Sequence, residues 1–221
     1  MKNILFLLLA FPFCVYAQKK HQTVNERLFN ENKTAISFNP FALAAVDYTL
    51  LVGYERKLSV KFFLGSEAGY IFASSYIGND GQSSNKGTGF IIRPSLRWFA
   101  ADNNKFYLQP QVFYKQVTHQ MHDWLGKDAV NGVPSYEQLQ DFKYRRIISG
   151  FNLVAGFALP LGQHSRNYID LYFGLGIRNK KSLIAGEPTS VYNRAIGIFD
   201  PEDDGVFPSV PIGVRFIYAI D

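Results

Sequence analysis

Apolar and polar residues alternate along most of this chain, and past its first 17 residues no apolar run is long enough to cross a membrane as a helix. Alternation with a period of two puts successive side chains on opposite faces of a strand. Eight segments carry the pattern: 35–43, 48–58, 59–73, 88–100, 105–117, 144–160, 167–179 and 208–220. Each supplies the roughly 9–11 residues that a membrane-spanning strand needs. The expected fold is all-β, an eight-stranded antiparallel up-and-down transmembrane β-barrel. Only a helix or a closed barrel satisfies every backbone group inside lipid.

The phase holds along each segment. Tyr48, Leu50, Val52 and Tyr54 share a face against Thr49, Gly53, Glu55 and Lys57, and Ile169, Leu171, Phe173, Leu175 and Ile177 oppose Asp170, Gly174, Gly176 and Arg178. Alternation alone leaves two barrels open. A secreted soluble barrel would turn the apolar face inward to bind an apolar ligand; a membrane barrel turns it outward. Three features favour the second. Aromatics stand near the ends of the apolar sets, with Tyr54, Trp98, Phe106 and Tyr218 at one rim and Tyr48, Phe72, Phe90 and Tyr114 at the other. The polar sets mix both charge signs with glycine, as a narrow packed interior requires. Short links (56–61, 101–105, 161–167) alternate with long polar ones (74–88, 118–143, 180–207), the order of periplasmic turns and surface loops. Pro94, Pro110 and Pro211 fall inside strands, where each removes a ladder donor. One bulge shared by Pro94 and Pro110 is expected.

Residues 1–17 read as a secretory signal: Lys2, an apolar run at Ile4–Phe13, and Val15-Tyr16-Ala17 before a cut ahead of Gln18. Cys14 suits a lipid anchor less well, because bulky Phe13 precedes it. Residues 18–33 are polar and aperiodic, a flexible periplasmic lead-in, and 34–221 form the barrel domain. The expected address is the bacterial outer membrane. Charged residues make up only 19% of the chain, which suits a lipid-facing belt. The net charge of +5 is spread singly, without the dense basic stripe of a nucleic-acid binder.

The candidate site is a polar network on the inward face: Glu55, Lys57, Lys61, Glu67, Arg93, Arg97, Lys115, Arg146, Asp170, Arg178 and Arg215. Eight strands leave an interior just wide enough for side chains, so salt bridges are favoured over a pore or proton path. Weaker candidates lie in the links. His119, His122 and Asp123 could hold a metal, the two histidines sharing a face in a helical turn, but no fourth ligand is fixed. The acidic run 200–205 lacks calcium-loop spacing. His164-Ser165 falls in a periplasmic turn, and no spacing singles out His119, Asp123 and Ser135 as catalytic. No metal, cofactor or catalytic residue is assigned.

The final strand carries Gly213, then Phe216, then Tyr218. It resembles the terminal signal that the barrel-assembly machinery recognises in outer-membrane proteins, with Pro211 and the tail 219–221 as departures. Asn39-Pro40-Phe41, 52–56 (Val-Gly-Tyr-Glu-Arg) and 170–174 (Asp-Leu-Tyr-Phe-Gly) add to a wider likeness. Residues 34–221 resemble the small outer-membrane barrels of the OmpA-domain and OmpX type, and those abundant in Bacteroidetes. The resemblance implies a monomer in contact with outer-membrane lipid and lipopolysaccharide, inserted by the assembly machinery, with an envelope-structural or surface-interaction role. Enzymatic modification of lipid A or phospholipid is the alternative, since barrels of this size with that activity exist.

Overall fold

The computed structural model describes residues 33–44, 47–74, 76–77, 83–84, 87–99, 105–161, 166–187, 189–192 and 204–220. The expected signal segment, nearly all of the expected lead-in, His164-Ser165 and most of the acidic run 200–205 lie outside them. The barrel strands are β1 (Thr34–Phe38), β2 (Asp47–Lys57), β3 (Phe62–Ser74), β4 (Thr88–Phe99), β5 (Phe106–Lys127), β6 (Tyr136–Pro160), β7 (Asn167–Ile184), β8 (Gly205–Ser209) and β9 (Ile212–Ile220), and a separate short ladder pairs Tyr76–Ile77 with Ser83–Ser84. From β1 to β8 each strand pairs antiparallel with its sequence neighbour. β8 and β9 both lie along β7 as one interrupted stave, and β9 closes on β1. The result is a closed antiparallel barrel of eight staves, as the alternation predicts.

The register fixes the barrel's shape. Partners lead from Phe38 through Val52, Ala68, Ile92, Tyr114, Ser149 and Asn179 to Val206, whereas Phe38 itself pairs with Phe216 on that stave, ten residues further on. A ten-residue stagger over eight strands tilts them by roughly 40–45° and leaves no open bore. The outer face is apolar between two polar borders. On β7 it runs from Asn167 to Asn179, which at ~3.3 Å per residue and that tilt spans roughly 28 Å.

Several expectations about the links change. Thr118–Lys143 is not a loop: β5 and β6 continue paired to Lys127 and Tyr136. The tip turns at Asn131-Gly132, where φ is 53° and 80° and Val130 and Val133 exchange both backbone hydrogen bonds. That is the geometry of a two-residue turn with both central residues left-handed. β7 runs on to Ile184, so Lys180 belongs to the wall rather than to a link. The expected first strand, 35–43, ends at Phe38 and is followed by a 3-10 turn at Pro40–Ala44. Asn39 caps that turn by accepting the Ala42 amide at 3.2 Å, and proline at the first helical position needs no donor.

The shared bulge at Pro94 and Pro110 does not form. The β4–β5 register is the same on both sides of the prolines (Ile92 with Tyr114, Ser95 with Gln111, Trp98 with Leu108). The irregularity lies between Tyr48 and Thr49 instead. Pro211 does interrupt its stave, yet its carbonyl still accepts the Gly174 amide at 2.8 Å.

The interior is layered. At the end where β1 begins and β9 ends, Phe63, Phe99, Tyr107 and Tyr168 pack with Ala35, Ala158, Ile217 and Ala219 into an apolar plug. The Phe63–Phe99 and Phe99–Tyr107 rings meet edge-on at 5.5 and 5.8 Å. At the far end the inner face of the β5–β6 hairpin buries Met121, Leu125, Phe142 and Tyr144 beneath Tyr192 and Ile184. Staves approach closely at glycine. A side chain at Gly150 would meet the Ile177 carbonyl at 2.2 Å and the Phe113 ring at 2.8 Å. Gly150→Val is therefore expected to cost about 1–3 kcal/mol through overpacking. Urea unfolding in detergent micelles checks this, and an unchanged midpoint would contradict the close packing.

Candidate functional site

Between the two apolar layers the lumen is ionic. Asp170, on β7, is fully buried and stands between two guanidinium groups. Arg215 of β9 lies 2.8 Å from one of its oxygens and Arg97 of β4 lies 3.2 Å from the same oxygen. Tyr107 of β5 donates to the other oxygen at 2.7 Å and accepts from Arg215 at 2.7 Å. Arg97 also meets Glu55 of β2 at 2.8 Å, and Arg215 meets Glu67 of β3 at 3.2 Å. Arg93 closes on Glu67 at 3.5 Å.

Three carboxylates thus face three arginines, and the cluster is neutral as a unit. Its guanidinium planes also rest on rings, Arg97 at 4.3 Å from the Tyr107 centroid and Arg215 at 4.5 Å from that of Tyr172. Those contacts matter because Nε of both arginines is buried without a hydrogen-bond partner. Gln109 spans the gap, accepting from Arg215 at 3.1 Å and donating to Ser95 at 2.8 Å. The space framed by Glu67, Arg93, Gln109, Tyr172 and Arg215 holds no water-sized void.

Above the cluster the lumen widens into a cavity of about 740 Å³ whose ionic lining is Asp47, Arg93, Lys115, Arg146 and Arg178. Asp47 opens β2. Arg146 lies 2.9 Å from it, and Lys115 and Ser74 also bond to its carboxylate.

Of the residues expected on the inward face, Glu55, Glu67, Arg93, Arg97, Asp170 and Arg215 form the cluster, and Lys115, Arg146 and Arg178 line the cavity. Lys57 and Lys61 stand apart from both, at the β2–β3 turn. The sequence reading left out Asp47, which falls in a link by hydropathy, and Tyr107 and Tyr172, whose rings disguise inward polar positions. Of the expected assembly signal, Phe216 and Tyr218 face outward and half exposed. Gly213 faces inward, where a side chain would meet the Tyr172 hydroxyl at 2.5 Å; that glycine makes room for the ring carrying Arg215.

His119 and His122 are not brought together, because a strand sends them to opposite faces. His119 is buried, while His122 is exposed with Nδ1 2.8 Å from Asp141 across the hairpin. Asp123 points inward and accepts the Tyr192 hydroxyl at 2.5 Å. Beyond the strands, Glu187 ties the hairpin to the chain after β7 through Lys127 at 2.5 Å, Ser190 at 2.7 Å and Gln140 at 3.0 Å.

No protein-family model, curated protein or solved structure matches the chain.

Asp170→Asn leaves two buried guanidinium groups short of charge and should cost about 3–5 kcal/mol in unfolding experiments. Tyr107→Phe, which removes one neutral bridge, should cost about 1–3 kcal/mol. The reverse order would show that the carboxylate is not the keystone. The Lys127 hydrogen bond, with those of Ser190 and Gln140, holds the Glu187 carboxyl down at about 2 from an ordinary value of 4.5. A depressed carboxyl stabilises the fold above its unfolded value and loses that contribution as pH falls through the folded one. Amide-exchange protection around Ser190 should therefore fall between pH 4.5 and 2 in the native chain. Glu187→Gln should lack this pH dependence.

Proposed function

We propose that the chain is an integral protein of a bacterial outer membrane, of the OmpA-domain and OmpX type in architecture. Its role on this reading is structural or surface-interactive rather than catalytic. The observation that carries it is the inside-out distribution of side chains. Arg97, Asp170 and Arg215 are at most 2% exposed, whereas Leu50, Leu64, Leu153, Leu171 and Leu175 are each more than 40% exposed. A water-soluble barrel would gain by the opposite arrangement, at roughly 25 cal/mol for each Å² of apolar surface hidden. In lipid the same exposed leucines need no cover.

Two rims support this orientation. Tyr48 and Phe72 stand 6.2 Å apart at one border and Phe90 and Tyr114 5.8 Å apart beside them, while Tyr54, Trp98 and Tyr218 face outward at the other. Outward aromatics at two levels suit the two lipid–water boundaries. Beyond the upper border the outer face of β5 turns polar (Gln116, Thr118, Gln120, His122), as a hairpin standing in water would. The hairpin is pinned by Tyr192 and Glu187, so it is a firm surface for contact.

Heat treatment of detergent-extracted protein tests the reading. Unboiled protein should migrate differently on a gel from boiled protein, and the native chain should fractionate with membranes. Leu171→Arg, on the lipid face of β7, should lower folding stability by about 2–4 kcal/mol near the midplane. Full recovery of folded Leu171→Arg protein, or native protein in a detergent-free soluble fraction, would refute the assignment.

A further inference from the structure

The barrel wall is incomplete in its upper half. β1 stops at Phe38 and the capped turn at Pro40–Ala44 bends the chain away, so the stave position above Phe38 holds no strand. Among the described residues, β8 pairs with β7 alone, and β2 above Val52 pairs with β3 alone except where Leu51 accepts the Asn39 amide. The 3-10 turn packs on β2 and β9 and covers part of this gap. Side chains and a turn replace the hydrogen-bonded ladder there.

The 740 Å³ cavity lies behind the gap. Its lining joins lumen groups to residues of the outer face: Lys115 and Arg178 on one side, Phe41, Val210 and Ile212 on the other. The last three are 59%, 56% and 74% exposed. A single void lined by both sets passes through the wall.

Its charge is unbalanced. Among the described residues Asp47 is the only acid of the lining, against Arg93, Lys115, Arg146 and Arg178. Asp47 is taken by Lys115 and Arg146, and Arg93 is taken by Glu67. Arg178 has no carboxylate within ion-pair distance among the described residues, and its Nε is buried without a hydrogen-bond partner. A half-buried guanidinium lacking an anion is costly, and an added anion relieves that cost. The volume falls within the roughly 300–1,000 Å³ of small-ligand sites.

We propose that this cavity binds an anionic amphiphile that enters sideways from the bilayer. Its acidic head group sits at Arg178, Lys115 and Arg146, and its acyl chain leaves through the gap along Phe41, Val210 and Ile212. β1 begins and β9 ends at the opposite end of the barrel, which the membrane reading puts in the periplasm, so the opening serves the outer leaflet. The site rests on the membrane reading, since a gap facing water would present its apolar lip to no chain.

Native mass spectrometry of the full-length barrel in maltoside detergent tests it, with the heat-dependent gel shift as a check on folding. The probes are dipalmitoyl phosphatidic acid, dipalmitoylglycerol and inorganic phosphate. One phosphatidic acid should bind per barrel, about tenfold or more tighter than either other probe. Arg178→Gln should weaken it about tenfold, the loss of one charge-assisted contact. Val210→Trp, which narrows the lip, should weaken the lipid and leave inorganic phosphate unaffected. Equal binding of the two lipids, equal binding of free phosphate, or an unaffected Arg178→Gln protein would overturn the proposal. If Arg178→Gln does not fold, the comparison of probes on the native chain decides alone. A barrel that shows the gel shift yet ignores phosphatidic acid sinks this site only; a chain that needs no detergent sinks the membrane reading with it.

Discussion

A carboxylate sealed from water must meet its counter-charge, and in this protein Asp170 meets two. Breaking a buried ion pair leaves an uncompensated charge costing several kcal/mol, far more than a surface pair contributes. The two guanidinium groups at Asp170 come from β4 and β9, and the hydroxyl that completes the set from β5. Glu55 and Glu67 extend the contacts to β2 and β3. The cluster therefore ties six of the eight staves at one level. A one-residue slip of any of them would turn its charged or hydroxyl group outward and leave its partners bare. Side-chain electrostatics inside and backbone pairing in the wall select the same register.

The layers on either side follow from that level. Below it, the plug of Phe63, Phe99, Tyr107 and Tyr168 shuts the lumen at the end where β1 begins and β9 ends. Above it, basic groups outnumber acids and the packing opens into the cavity. The change coincides with the point where β1 ends and the wall loses a stave. In the closed half Glu55, Glu67 and Asp170 each meet an arginine. In the open half Arg178 meets no carboxylate among the described residues.

Much of this architecture was legible in the sequence, because a period of two is a direct imprint of a half-buried strand. Strand number, the outward leucines and most inward charges follow from it. What it missed has physical causes. Tyr107 and Tyr172 are amphipathic, and hydropathy could not tell that their hydroxyls serve arginine and aspartate. Phe63 and Phe99 sit inward, against the polar pattern, because the plug needs apolar volume. The 118–143 stretch is polar on its outer face since it continues past the apolar band, so polarity was mistaken for a loop. Two short signals pointed the other way: Asn131-Gly132 is a tight-hairpin pair, and Asn39-Pro40 marks a capped turn. Pro94 and Pro110 needed no bulge, because the ladder omits their pairing locally and keeps step on both sides.

The central claim is that the leucine-rich outer face touches acyl chains while the ionic face is sealed. Spin labels placed singly from Ile169 to Ile177 on β7, in the protein reconstituted into bilayers, test it most directly. Accessibility to dissolved oxygen should be high at 169, 171, 173, 175 and 177 and low at the intervening positions, with a polar nickel reagent excluded from the odd set. The opposite phase, or nickel access at the odd positions, would contradict the account.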